Sequence, residues 1–93
     1  MLDLTLVATH NGQEYPVTPT AGAVIVLERK YGKPAAVLFA EPSMEHLAFL
    51  AWEQIRRNVA KNGEPAPQPF DKWLENLDNI ETDTSDDGDS PKG

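Results

Sequence analysis

Cysteine is absent from this 93-residue sequence, which removes disulfides and thiolate metal sites together. A cysteine-free chain suits a reducing cytosol without requiring one. Long apolar runs are also missing. Runs such as Ala23–Leu27 and Leu47–Trp52 fall far short of the roughly 18 residues that suggest a membrane span. The opening MLDLTLVATH has neither a basic region nor a signal-length apolar stretch, so no signal peptide is expected there. Positive charge is scarce: eight Lys and Arg stand against fifteen Asp and Glu, for a net charge of −7. Phosphate backbones require a clustered basic face, so the balance argues against nucleic acid. The six glycines are scattered and form no phosphate-cradling loop.

The residues that carry chemistry are equally sparse. His10 falls in a turn and His46 in the first turn of a helix, with no placed partner apparent for either; both read as solvated side chains. Ser43, Ser85 and Ser90 lie outside any nucleophile-elbow context. Asp83-Thr-Ser85-Asp-Asp87-Gly88-Asp89 imitates the first half of a calcium-binding loop. The twelfth position, where the bidentate glutamate belongs, lies past Gly93, and the stretch reads as a solvated acidic tail. Each carboxylate has a simpler place on a helix surface or in that tail, so no acid–base pair is expected. The expectation is a non-enzyme without cofactor or metal.

What is present reads as a small α+β domain over residues 1–80, with a disordered acidic tail over 81–93. Leu2, Leu4, Leu6 and Ala8 alternate with Asp3, Thr5, Val7 and Thr9, the period of a half-buried strand. Asn11-Gly12 is the strongest short hairpin signal, and Tyr15 and Val17 continue the alternation, giving a hairpin over 2–17. Pro16 cannot donate to a ladder, which places the return strand on an edge. Thr18-Pro19 reads as a helix start and Gly32 as its stop, for a helix over about 19–31. Residues 34–39, PAAVLF, read as a helical turn. A long helix follows over about 43–62, with Met44, Leu47, Ala48, Ala51, Trp52, Ile55 and Val59 in one apolar stripe. Glu53, Arg56, Arg57 and Lys61 take most of the opposite face. A proline-rich linker over 64–69 holds the chain extended, and Phe70, Trp73, Leu74 and Leu77 set a short helix over about 70–78.

Phe49 and Leu50 fall on either flank of the central stripe. Apolar surface wider than one stripe means a helix covered on more than one side. An exposed apolar patch flanking a helix marks a protein contact, and this pair is the first candidate for one. Trp52 and Trp73 sit on their own stripes and read first as core. With Phe49 and Leu50 they make up the four candidate partner-binding residues. A domain this size buries only about 60% of its unfolded surface and is marginal alone, so partner subunits are expected to help hold it.

Glu45-His46-Leu47-Ala48-Phe49-Leu50-Ala51-Trp52 resembles the central helix of the tail assembly chaperones of long-tailed bacteriophages. In that family a Leu-Ala-Trp type motif is followed by arginines and a glycine, filled here by Arg56, Arg57 and Gly63. A Phe-Asp-x-Trp helix comes next, matched by Phe70-Asp71-Lys72-Trp73, and then an acidic segment like Leu77–Glu81. Upstream, Leu27-Glu28-Arg29-Lys30-Tyr31-Gly32-Lys33 is similar to the family's Glu-Arg-x-Phe-Gly-Lys element. The resemblance covers residues 2 to 81; the proline-rich linker departs from the family's shorter glycine loop. It implies a protein that binds the tape measure protein in the host cytoplasm. Many copies keep that long helical chain soluble while tube subunits assemble around it, and they are absent from the finished virion. It also implies self-association, and recruitment of tail tube subunits through a longer frameshifted product. Two other readings of the residues are a virion structural protein, as at the head–tail junction, and an adaptor with one defined partner.

Overall fold

The computed structural model describes residues 4–83, and residues 84–93 of the tail expected over 81–93 lie outside them. The elements run β1 (Thr5–His10), β2 (Gln13–Val17), α1 (Ala21–Tyr31), α2 (Ala35–Ala40), α3 (Met44–Lys61), α4 (Phe70–Leu74) and β3 (Leu77–Asp83). The architecture is α+β: a three-stranded antiparallel sheet in the order β2-β1-β3, covered on one face by helices.

The hairpin turns at Asn11 and Gly12, with φ of 54° and 77°, the positive pair that a two-residue turn matched to strand twist requires. Leu6 and Ala8 alternate inward from β1 and are fully buried. Pro16 pairs opposite Val7 on β2, which lies at the sheet's edge, where its missing donor leaves no ladder bond unmade.

The largest departure from the sequence reading is at the C-terminal end. The last helix stops at Leu74 instead of reaching residue 78, and Leu77–Asp83 forms a third strand. It pairs with β1, Leu6 opposite Thr82 and Ala8 opposite Ile80, with an irregularity at Thr9/His10. Glu81, Thr82 and Asp83 therefore belong to the sheet and not to a tail. The turn of β1 and β2 helps fix this strand: the Asn11 amide donates to the Asn76 carbonyl at 3.0 Å, and the Gly12 amide to Asp78 Oδ2 at 3.0 Å. The hairpin thus gains the third strand that a two-stranded ribbon needs for stability.

Helix α1 begins two residues later than Thr18-Pro19 suggests. Thr20 is the cap, its hydroxyl accepting from the Ala23 amide at 3.5 Å. The start is set from outside the helix: Gln54, buried on α3, accepts from the Thr20 amide at 2.9 Å. Gly32 ends α1 in the left-handed region at φ 69°, its amide donating to the Glu28 carbonyl at 2.7 Å. Ser43 caps α3 by accepting from the His46 amide at 3.1 Å. That helix touches all three strands, α1 and α4, and it is the axis of the core.

Candidate interaction surface

The structure buries both flanks of α3. Leu50 has no exposure and Phe49 only 6%, so the exposed patch expected of this pair does not exist. The reason is that α3 is sandwiched: the sheet covers one side while α1 and α4 cover the other. Met44, expected inside the stripe, is instead 59% exposed at the helix's first turn.

Around Phe49 the aromatic side chains form a continuous band. Tyr31 meets Phe49 edge-on at 5.9 Å, and Phe70 meets it edge-on at 5.2 Å. Trp52 lies 5.7 Å from both Phe49 and Phe70. Lys30 sits over the cluster, its Nζ 5.3 Å from the Phe49 ring centre, a distance at which the ring face attracts the cation. Trp52 is half-buried, and its indole N–H donates to the Gln68 carbonyl at 2.8 Å. This bond fastens the proline-rich segment against α3. Desolvation by burial, then the hydrogen bond to Glu45, pushes the Tyr31 phenol above its ordinary range.

The band ends at Trp73, which is buried and stacks on His10 at 4.9 Å with the rings 9° from parallel. His10 Nε2 lies 2.9 Å from the Trp73 carbonyl. A carbonyl only accepts, so this nitrogen carries the hydrogen and donates. His10 is therefore a packed residue, not a solvated one. His46 is likewise half-buried, edge-on to Tyr31 at 4.4 Å.

Beside the His10–Trp73 stack lies a cleft of about 310 Å3 between the hairpin and the proline-rich segment. Tyr15, Ile55, Val59, Pro65 and Pro67 form its walls; Asn11 and Gln68 add amides, and no Asp, Glu, Lys or Arg lines it. A largely apolar cleft of this kind suits apolar groups, with a few polar groups to fix their orientation. Of the four residues singled out from sequence, Trp73 lines it and Trp52 bonds to Gln68 of its wall, while Phe49 and Leu50 are buried in the core and do not line it. Sequence reasoning missed His10, Tyr15, Ile55 and Val59 as one surface. Only the i, i+4 spacing of Ile55 and Val59 hinted at it.

The sequence also placed Glu53 on the polar face of α3, whereas it is 2% exposed. Its carboxylate accepts from Arg56 Nε at 3.1 Å and Nη2 at 2.6 Å, and from Arg57 Nε at 2.8 Å. Hydrogen bonding to Glu53 raises the Arg56 guanidinium above its usual value. The carboxylate is saturated with donors and lines none of the clefts described, so its role is to hold the fold together. Among the described residues no group of three His, Cys, Asp or Glu is placed to hold a metal ion, and no helix is long and apolar enough to cross a membrane.

Comparison with family models, curated proteins and solved structures finds no match for this chain.

Proposed function

We propose that this chain is an assembly chaperone of the phage-tail type. As a binding protein without catalytic activity or cofactor, it holds apolar segments of the tape measure protein in solution while the tail tube assembles. The observation that carries this reading is the aromatic cleft of His10, Tyr15, Ile55, Val59 and Trp73, which no Asp, Glu, Lys or Arg lines, on a chain of net charge −7. Such a surface accepts apolar side chains of a helical client, while the excess charge keeps the complex apart from others. The motif resemblance over Glu45–Trp52 and Phe70–Trp73 supports the same role. On this reading the protein works in the host cytoplasm as many copies per client, is absent from the mature virion, and engages tube subunits through a longer product.

The test is co-expression with the tape measure protein from the same genome. The expected result is a soluble complex with several copies of this chain per client. Val59→Asp and Tyr15→Ala alter half-exposed positions that also pack on the core; each is expected to reduce co-purification at least tenfold while keeping the wild-type helical circular dichroism at low temperature. Retained binding by both variants would remove the cleft from the mechanism. Detection of the chain in purified virions would assign it to the structural class instead.

A further inference from the structure

Away from the client cleft, the aromatic band surrounds a single ammonium with three rings. Lys30 Nζ stands 5.3 Å from the ring centre of Phe49, 5.6 Å from that of Tyr31 and 6.0 Å from that of Phe70. Tyr31 and Phe70 are both nearly perpendicular to Phe49, at 85° and 84°. The three rings thus form a box, with Phe49 between two walls. Phe49 is buried on α3, and the Tyr31 hydroxyl donates to Glu45 Oε2 at 2.9 Å, which orients that wall. None of these rings lines the cleft of His10 and Trp73.

Lys30 is an imperfect occupant of the box. It is exposed, in the last turn of α1. Among the described residues the ion pairs all involve Glu53, so no carboxylate pairs with this ammonium. The ring faces attract its charge but offer its N–H groups no carbonyl or carboxylate acceptor. A primary ammonium is strongly hydrated and gives up part of that hydration against apolar rings. A quaternary ammonium carries the same charge, has no N–H to satisfy, and meets the rings with methyl groups. Aromatic boxes recognise such groups.

We propose that Tyr31, Phe49 and Phe70 form a binding site for a methylated ammonium group, which Lys30 occupies until such a ligand displaces it. Lys30 swings into water on its flexible stem, and the ligand's methyl groups take its place over the Phe49 ring. The Glu45 carboxylate beside the Tyr31 wall adds a negative field that favours the cation. Because the box and the client cleft share no residue, failure of either leaves the other standing.

Titration of the isotope-labelled full chain with tetramethylammonium chloride, followed by amide NMR, tests the site. Saturable shifts are expected at Tyr31, Phe49 and Phe70, with a midpoint on the order of millimolar. Sodium chloride controls for the general attraction of a chain of net charge −7 for cations, and is expected to give no saturation at these residues. Lys30→Ala empties the box without altering its rings. Removing the competing occupant is expected to tighten binding at least about threefold. Phe70→Leu keeps apolar bulk but removes one wall, and is expected to weaken binding at least about fivefold. Should that variant fail to fold, the comparison of Lys30→Ala with the wild type decides alone. Choline and a peptide bearing trimethyl-lysine, titrated in the same way, separate a free ligand from a modified side chain, and saturation by either at these residues supports the site. No saturation by tetramethylammonium in the wild type or in Lys30→Ala overturns the proposal. So does equal saturation by sodium, and so does a Lys30→Ala chain that binds no more tightly than the wild type.

Discussion

Glu53 is a carboxylate held almost wholly out of water, and its position is tolerable only because three guanidinium donors meet it. Arg57 also lies over the start of α1: a Cβ placed on Gly22 would come within 2.7 Å of its guanidinium. The pair therefore joins α3 to α1 as well as satisfying a charge. Glu53→Gln keeps the shape and removes the charge, and hydrogen bonds to charged groups contribute about 1.5–3 kcal/mol each. Because both arginines keep partial access to water, the expected loss is toward the lower end, about 2 kcal/mol by urea denaturation. A neutral result would mean the bridge adds nothing beyond packing. Sequence pattern could not reveal this residue, because a glutamate between arginines at i+3 and i+4 looks the same on a solvated face. Only the packed fold takes it out of water. Phe49 and Leu50 illustrate the reverse case. Their breadth around the helix correctly implied cover on more than one side, but not whether this chain or a partner supplied it.

At the scale of elements, the strand β3 separates what local pattern specifies from what the fold imposes. The hairpin, its Asn11-Gly12 turn, the stop at Gly32 and the start of α3 at Ser43 are encoded within a few residues, and all were legible. The spacing of Phe70, Trp73, Leu74 and Leu77 also fits a helix, yet the chain leaves that helix after Leu74 and pairs with β1 about seventy positions away. Long-range pairing of this kind overrides weak local preference. The acidic residues that suggested a tail are compatible with an edge strand, where charge discourages unwanted pairing. Ile80 tests the assignment directly. It is 4% exposed and sits opposite Ala8, so Ile80→Ala is expected to cost about 2–4 kcal/mol. Exposed Asn79→Ser on the same strand is expected to fall within about 0.5 kcal/mol of the wild type. Equal, negligible effects in a urea titration would return this segment to a tail.

For the molecule as a whole, size and composition set the terms on which it works. One short sheet and a single central helix form a core with few fully buried large side chains, Leu6, Leu27, Leu38 and Leu50 among them. Domains of this size sit close to the limit of independent stability. Anything that binds the folded state alone therefore shifts the folding equilibrium visibly. The cleft is built from residues far apart in sequence, His10 and Tyr15 on the hairpin, Ile55 and Val59 on α3, and Trp73 on α4. It exists only when these elements are packed together, so on the proposed reading client binding is linked to folding and not to any one element. A helical segment of the tape measure protein at about a hundred times its dissociation constant should stabilise the fold by about 2.7 kcal/mol. For a domain this small that corresponds to a rise of roughly 10–20 °C in thermal midpoint. Calorimetry with and without the segment reads the shift, and Val59→Asp should abolish it whatever the variant's own starting midpoint. An equal rise in that variant would show that the segment binds elsewhere on the molecule. No rise in either would mean that the cleft does not receive the client at all.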